Sequence, residues 1–223
     1  MILNDNLALD RYNWAGLKVK QIRQAHTGPN FSVFDIGSRD NILKKHLADQ
    51  ALIYKGFDLE PAADVEKWDI EGTFPYEYPQ TQVVTLLEVI EHLKNPGMCL
   101  KNIADVIEPG GYLILTTPNP KWSNSRLNLL FSGELNCFTQ SDLDLNHHVF
   151  IPWTHILEKF IHDAGFEIVE YVTLDGRTIV FDGTLFRGNV LKSFFARVIK
   201  KVIESRDPSS RGMSYGIVAR RLK

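Results

Sequence analysis

Several features that would reveal a class at once are scarce in this 223-residue chain. It has only two cysteines, Cys99 and Cys137. They are too few and too isolated for a disulfide framework or a thiolate metal cage, so a reducing compartment, the cytoplasm, is expected. It lacks an excess of charge of one sign. The 25 Lys and Arg against 27 Asp and Glu leave a formal net charge of −2, which offers nucleic acid no global attraction. It lacks any apolar run near the roughly 18 residues that suggest a membrane span. Its start, MILNDNLALDRYNW, carries Asp5 and Asp10 where a signal peptide needs uninterrupted apolar residues. There is no internal repeat and no low-complexity tract.

What is present suits a continuous core. Hydrophobic residues make up 44% of the chain, enough to exclude bulk disorder, and the length fits one domain or one domain with an appendage. After a leader with Trp14, expected to be helical over residues 1–30, short apolar runs recur. They are FSVFDIG (31–37), ALIYKGFDLE (51–60), DVEKWDI (64–70), TQVVTLLEV (81–89), GYLILTTPN (111–119), FEIVEYV (166–172) and SYGIVARR (214–221). Between them lie helical signals. One helix is expected over 40–47, and another from Asn95-Pro96 to about Ile107, ended by Pro109-Gly110-Gly111. A third is expected over 152–164, opening on Pro152. Alternating strands and helices predict an α/β fold, a doubly wound, mostly parallel sheet of seven strands. In such sheets ligands sit beyond the carboxyl ends of the strands, where this reading puts Asp35, Gly37, Asp58, Asp69, Glu88 and Thr116.

The loop after the first strand has a physical logic. Gly37 lets the backbone approach a ligand closely, and the following helix start presents unpaired amides to it. Asp58, about twenty residues on, ends the second strand where it could accept hydrogen bonds from a ribose diol. Taken alone, each of these is also what an ordinary packed turn or a turn acid looks like.

Taken in order, the pieces VFDIGSRDN, GFDLEP, WDIEGTFP, VVTLLEVIEHL, IEPGGYLILTTPNP and HHVFIPWTHILEKFIHDAGF resemble the class I S-adenosylmethionine-dependent methyltransferases, especially the branch of ubiquinone-biosynthesis-like and sugar O-methyltransferases. The resemblance runs from about Phe31 to Phe166 and resumes at YGIVARR. It implies a Rossmann-like methyltransferase fold over residues 1–223, with S-adenosylmethionine as cofactor. The acceptor would be a small molecule, a sugar, nucleotide-sugar or phenolic metabolite. By the same resemblance Asp35 and Gly37, with Ser38 and Arg39, shape the pocket near the methionyl portion. Asp58, followed by Leu59, holds the ribose hydroxyls, Asp69 and Ile70 face the adenine, and Leu87 and Glu88 line the junction with the acceptor. One departure stands out: the G-x-G-x-G loop of the family reads Gly37, Arg39, Asn41 here. Arg39 could pair with the methionine carboxylate, Asp35 or Asp58, and Asn41 tolerates a left-handed backbone. The departure also keeps open a noncatalytic, methyltransferase-like binding domain.

The donor methyl is already activated, so a base is needed only where a proton must leave the acceptor. The candidates are Glu88, His92 and His148, with His147 beside the last. Glu88, Glu91 and His92 share one helical face if a helix begins at Glu88; an alternative is that Glu91 and His92 cap the loop. A different resemblance, to metal-dependent small-RNA 3′-terminal 2′-O-methyltransferases, would make Glu88, Glu91, His92 and His148 metal ligands. No basic tract accompanies them, and the primary expectation is no metal and no nucleic acid. Residues 121–150 are long for a connection and read as a lid-like insertion in which Trp122, Arg126, Phe131 and Phe138 could orient an acceptor or form a small cap. A second, helical insertion is expected over 175–212. Within it, residues 188–206 show apolar pairs at 190/191, 194/195, 198/199 and 202/203. Six basic residues from Arg187 to Arg206 accompany them, against Glu204 alone. That helix packs on the domain or a partner subunit, or lies peripherally on an anionic membrane.

Overall fold

The structure, a computed structural model, describes residues 3–176 and 190–222. Residues 177–189 of the expected second insertion, with the start of the 188–206 helix, lie outside the described residues. The elements in chain order are β1 (Leu3–Asn6), α1 (Arg11–Ala25), β2 (Ser32–Ile36), α2 (Ile42–His46), β3 (Ile53–Asp58), β4 (Val65–Lys67) and β5 (Thr81–Leu87). There follow α3 (Pro96–Val106), β6 (Ile107–Pro118), α4 (Ser123–Ser132), α5 (Gln140–Asn146), α6 (Thr154–Asp163), β7 (Phe166–Leu174), α7 (Val190–Arg206) and β8 (Ser214–Arg221).

They form one sheet in the order β1-β7-β8-β6-β5-β2-β3-β4. Every neighbouring pair is parallel except the two that β8 makes, with β6 and with β7. All seven expected strands are present, and β1 adds an eighth at the edge. The leader is therefore not wholly helical: residues 3–6 pair with Tyr171–Leu174 of β7, and the helix starts only after Asp10 caps it by accepting from Asn13 N–H at 2.9 Å.

Other boundaries differ for local reasons. The helix after β2 is a five-residue turn, because Arg39 and Asn41 both adopt positive φ before it. Pro109-Gly110-Gly111 does not separate helix from strand, since β6 already begins at Ile107 and absorbs the segment, with a register shift opposite Thr81–Val83. Pro152 lies outside α6, whose first residue is Thr154. Asn95 caps α3 by accepting from Met98 N–H at 3.1 Å, with Pro96 in the first turn as expected.

Two apolar layers cover the two faces of the sheet. One joins Phe34, Phe57, Leu86, Leu100, Ile103 and Leu157 under α3 and α6. The other joins Trp14, Val19, Val33, Leu43, Val83 and Val172 under α1 and α2. Trp14 is fully buried, and the room for it comes from Gly216 on β8, where a Cβ would meet the indole at 2.7 Å. These contacts hold the leader helix against the sheet, so that its first turn reaches the carboxyl edge. No described helix is long and apolar enough to cross a membrane.

Candidate active site

The loop after β2 keeps the shape that three glycines would give. Gly37, Arg39 and Asn41 have φ of 75°, 35° and 53°, all in the region that favours glycine and that Asn enters more easily than most. Gly37 is needed twice over: a Cβ there would meet Val89 Cγ2 at 2.3 Å. The N–H groups of Gly37 and Ser38 both donate to Phe57 O, at 2.8 and 3.1 Å, which presses the loop onto the end of β3. Gly56 makes this possible, since its Cβ would meet Ser38 Oγ at 2.5 Å and Asn41 Oδ1 at 2.9 Å.

Asp58 closes the same loop from the β3 side. Its Oδ2 accepts from Arg39 N–H at 3.0 Å and its Oδ1 from Glu60 N–H at 3.0 Å. Each oxygen retains a lone pair for a vicinal diol. It is thus the backbone amide of Arg39, not its guanidinium, that meets Asp58, and the Arg39 side chain is exposed. Trp68 N–H donates to Asp58 O at 3.0 Å, which brings the turn after β4 alongside. In that turn Asp69 is exposed and caps Glu71 N–H at 3.0 Å. Ile70 is buried with Phe57 and Trp68. Leu59 projects from the loop, 58% exposed, whereas Leu87 packs inward under α1.

Asp35 is buried, and the register explains its partners. Thr85 lies directly opposite on β5 and donates to Oδ1 at 2.6 Å. On the other side, β3 places Gly56 opposite Asp35, and Tyr54 OH, two residues before it, donates to Oδ2. Burial pushes the Asp35 pKa up from 3.8 to about 6, the two hydroxyls opposing it and the Asp58 charge adding to it. Asp35 is thus held within the sheet by the two strands that flank β2.

The chain after β5 does not continue as a helix from Glu88. Glu88 itself has φ 55°, and a short 3₁₀ turn, Ile90–His92, follows. The expected shared helical face is absent, and the side chains diverge. Glu88 Oε2 stands 3.8 Å from Arg11 Nη1 of α1, while its Oε1 is buried without a hydrogen-bond partner. Burial raises the Glu88 pKa and Arg11 lowers it in part. Glu91 is fully buried, its Oε2 accepting from Thr117 Oγ1 at 2.9 Å. Its pKa is held well above 4.5 by burial and then by Glu88. The Glu91 carbonyl accepts from Val149 and Phe150 N–H at 2.9 and 3.0 Å, and this docks the segment after α5 beside the turn.

That docking brings His148 to His92, ring centroids 4.8 Å apart and edge to face. The Nδ1 of His148 is engaged by Cys137 O, leaving Nε2 toward the site. Burial, then the neighbouring His148, pushes the His92 pKa below 6.5, so His92 is a neutral imidazole at neutral pH. Glu91, His92 and His148 offer ligand atoms within 4.8 Å of one another. The fourth residue of the metal alternative, Glu88, faces Arg11 instead, and His147 is exposed at the end of α5 with φ 57°.

In the 121–150 segment, Trp122 is buried and Arg126 is paired with Asp207, so neither is open to an acceptor. Phe138 does stand near, its ring centroid 5.8 Å from that of His148. Arg11, Tyr54, Thr85, Val89 and Thr117 escaped the sequence reading.

Comparison with known proteins agrees with this geometry. A family model described as a methyltransferase domain matches residues 12–171. A ubiquinone biosynthesis O-methyltransferase of Coxiella burnetii is 30% identical over 139 residues, covering 51% of this chain and 59% of that protein, so the match spans little more than half the relative's length. A protein of the same name from Burkholderia pseudomallei is 24% identical over 64% of this chain and 67% of its own. Among solved structures, a SAM-dependent methyltransferase from Archaeoglobus fulgidus superposes with a TM-score of 0.61 at 16% identity, over 94% of each chain. The plantazolicin methyltransferase BamL, solved with SAH, gives 0.59 at 10% identity over 96% of this chain and 85% of its own. With the sheet order, the left-handed loop after β2 and the family match over residues 12–171 in agreement, this chain belongs to the methyltransferase-domain family and carries the class I S-adenosylmethionine-dependent methyltransferase fold.

Proposed function

We propose that this protein methylates a hydroxyl of a small phenolic or sugar acceptor, with S-adenosylmethionine as donor. The observation that carries the reading is the Gly37-Arg39-Asn41 loop held in left-handed backbone and tied to Asp58 through the Arg39 amide at 3.0 Å. Residues 37–39 fit the methionyl end and Asp58 the ribose diol. Asp69 and Leu59 flank the base, and Ile70 supports that wall from the core. The bound cofactor supplies an electrophilic methyl on a positive sulfur. The chain supplies orientation and a place for the proton. Of the buried acids near this edge, Asp35, with a pKa of about 6, is ionised at neutral pH, which favours a cationic donor there.

His92, neutral and 37% exposed along its side chain, is placed to accept the proton of an acceptor hydroxyl. Glu91 Oε1 lies 3.9 Å from His92 Nε2, beside the imidazolium that would result. His148 crowds the same imidazole and sets its orientation, and Glu88 stands beside the reacting edge. The acceptor is identified by chemistry alone, as a hydroxyl whose proton a neutral imidazole can take.

Calorimetric titration of the metal-stripped protein with S-adenosylmethionine and S-adenosylhomocysteine tests the cofactor assignment. Asp58→Ala should weaken binding roughly 10-fold or more through lost charged hydrogen bonds. No binding at millimolar ligand overturns the enzyme reading in favour of a noncatalytic domain. Methyl transfer to catechol-type and sugar acceptors then sorts the substrate class. A second reading is favoured by the grouping of Glu91, His92 and His148: these three would hold a divalent ion that binds the acceptor hydroxyl. Activity that survives exhaustive chelation excludes it.

A further inference from the structure

The apolar pairs of the basic helix do not form one stripe in three dimensions; α7 divides them between two opposite faces. Inward, Ala196 is 2% exposed, and Ile199, Lys200, Ile203 and Glu204 line the same side, partly buried. This face is fastened to α4: Ser123 Oγ donates to Glu204 Oε1 at 2.7 Å, and Arg126 pairs with Asp207 just past the helix end. Lys200 Nζ sits 3.7 Å from Glu204 Oε1, within the same contact. Outward, Phe194 and Phe195 are 60% and 61% exposed, and Val198 and Val202 are 43% and 45% exposed. At about 100° per residue these four fall on one side of the helix, away from Ala196. Arg197 and Lys201 border that stripe on one edge and Arg206 on the other, all exposed. The one acidic residue of α7, Glu204, points inward. Leu129 and Leu130 of α4, the helix on which α7 packs, are 46% and 67% exposed as well.

We propose that the outward face of α7 docks on an anionic phospholipid bilayer, lying in the plane of the interface. The apolar stripe would enter the headgroup and acyl boundary while Arg197, Lys201 and Arg206 meet lipid phosphates on either side. Charge complementarity decides between occupants. The chain as a whole is slightly acidic, with a formal net charge of −2, yet the outward face of α7 carries cations alone. A second copy meeting this face about a two-fold axis would set those cations against themselves. A bilayer rich in phosphate presents the opposite charge. The helix is too short and too charged to span, so it rests on the surface. This assignment stands apart from methyl transfer, since it concerns residues outside the proposed catalytic edge.

Flotation of the 223-residue chain with vesicles tests it. One set is phosphatidylcholine alone, the other equal parts phosphatidylcholine and phosphatidylglycerol. The wild type should float with the second set, hardly with the first, and be released by high salt. Phe195→Glu with Val198→Glu, and separately Arg197→Glu with Lys201→Glu, should each weaken partitioning roughly tenfold or more. These side chains are exposed, so both variants should melt as the wild type does. A Phe195→Trp protein should show blue-shifted emission on the anionic vesicles. Failure of the wild type to float, equal flotation on neutral lipid, or flotation indifferent to both double variants overturns the proposal. A dimer in light scattering that Phe195→Glu with Val198→Glu dissociates, without vesicle binding, gives the face to a second copy and also overturns it.

Discussion

Arg11, on the first turn of α1, stands with Nη1 3.8 Å from Glu88 Oε2 at the end of β5. The contact joins the leader helix to the reacting edge of the sheet, and it opposes the cost of burying Glu88. Removing Arg11 should lift the Glu88 pKa further. A carboxyl whose folded pKa is raised stays protonated in the native state while the unfolded chain has released its proton. Stability therefore falls as pH rises from 4.5 through the folded value. Arg11→Ala should thus cost little at about pH 5 and about 1 kcal/mol more at about pH 8, discounted for the exposed guanidinium. Urea denaturation at the two pH values measures it, and Glu88→Gln in the Arg11→Ala background should recover most of the loss.

Gly37→Ala should be severe. The φ of 75° and a Cβ placed 2.3 Å from Val89 Cγ2 act together, and a cost of roughly 2–4 kcal/mol is expected with loss of cofactor binding. Adding Val89→Ala should relieve the clash and leave only the backbone cost. Thermal melts of the single and double variants separate the two contributions.

The other two positions of the loop should welcome glycine. Arg39 and Asn41 already hold positive φ, so Arg39→Gly and Asn41→Gly trade relieved strain against unfolded-state entropy and should each stay within about 1 kcal/mol of the wild type. Arg39→Val, β-branched at φ 35°, should cost roughly 1–2 kcal/mol more than Arg39→Gly. An Arg39→Gly protein that no longer binds S-adenosylhomocysteine would show that the guanidinium, and not the backbone, makes the site.

Asp35 sets a pH window of its own. Its pKa moves from 3.8 unfolded to about 6 folded. The native state alone holds the proton between those values, and stability declines as pH rises across them, by roughly 3 kcal/mol at most. Asp35→Asn should flatten that slope. It also leaves one of the Tyr54 and Thr85 hydroxyls without its acceptor, a constant offset that chemical denaturation across the window distinguishes from the slope.

His92→Asn should lower kcat roughly a hundredfold or more, the usual scale for a lost general base. Affinity for S-adenosylhomocysteine should change little, because the Asp58 loop is untouched. An equal loss of cofactor affinity would assign His92 to binding instead.

The strands, the loop glycine and the spacing from Asp35 to Asp58 were legible in the sequence because each depends on neighbours a few residues away: apolar runs, a breaker, an acid at a strand end. The family pieces followed from the same local order. The ways in which Asp35 is held were not legible. Tyr54 and Thr85 lie 19 and 50 residues away, and strand register alone brings them to one carboxylate. Nor was the divergence of Glu88 from Glu91 and His92, which turns on a single left-handed residue where helical spacing was expected.

By itself the sequence determined the class of fold, the turn after β2 and the amphipathic, basic character of the last helix, since periodicity and turn chemistry are written in consecutive residues. Only the tertiary structure decided which side chains share an environment. Packing against Gly216 seats α1 through Trp14 and so delivers Arg11 to Glu88. The backbone of Glu91 holds the segment that delivers His148 to His92. Contact with α4 draws Ala196, Ile199 and Ile203 inward and leaves Phe194, Phe195, Val198 and Val202 facing out. Burial is a property of pairs of surfaces, and a helix records which residues are apolar without recording which of its faces another element will cover.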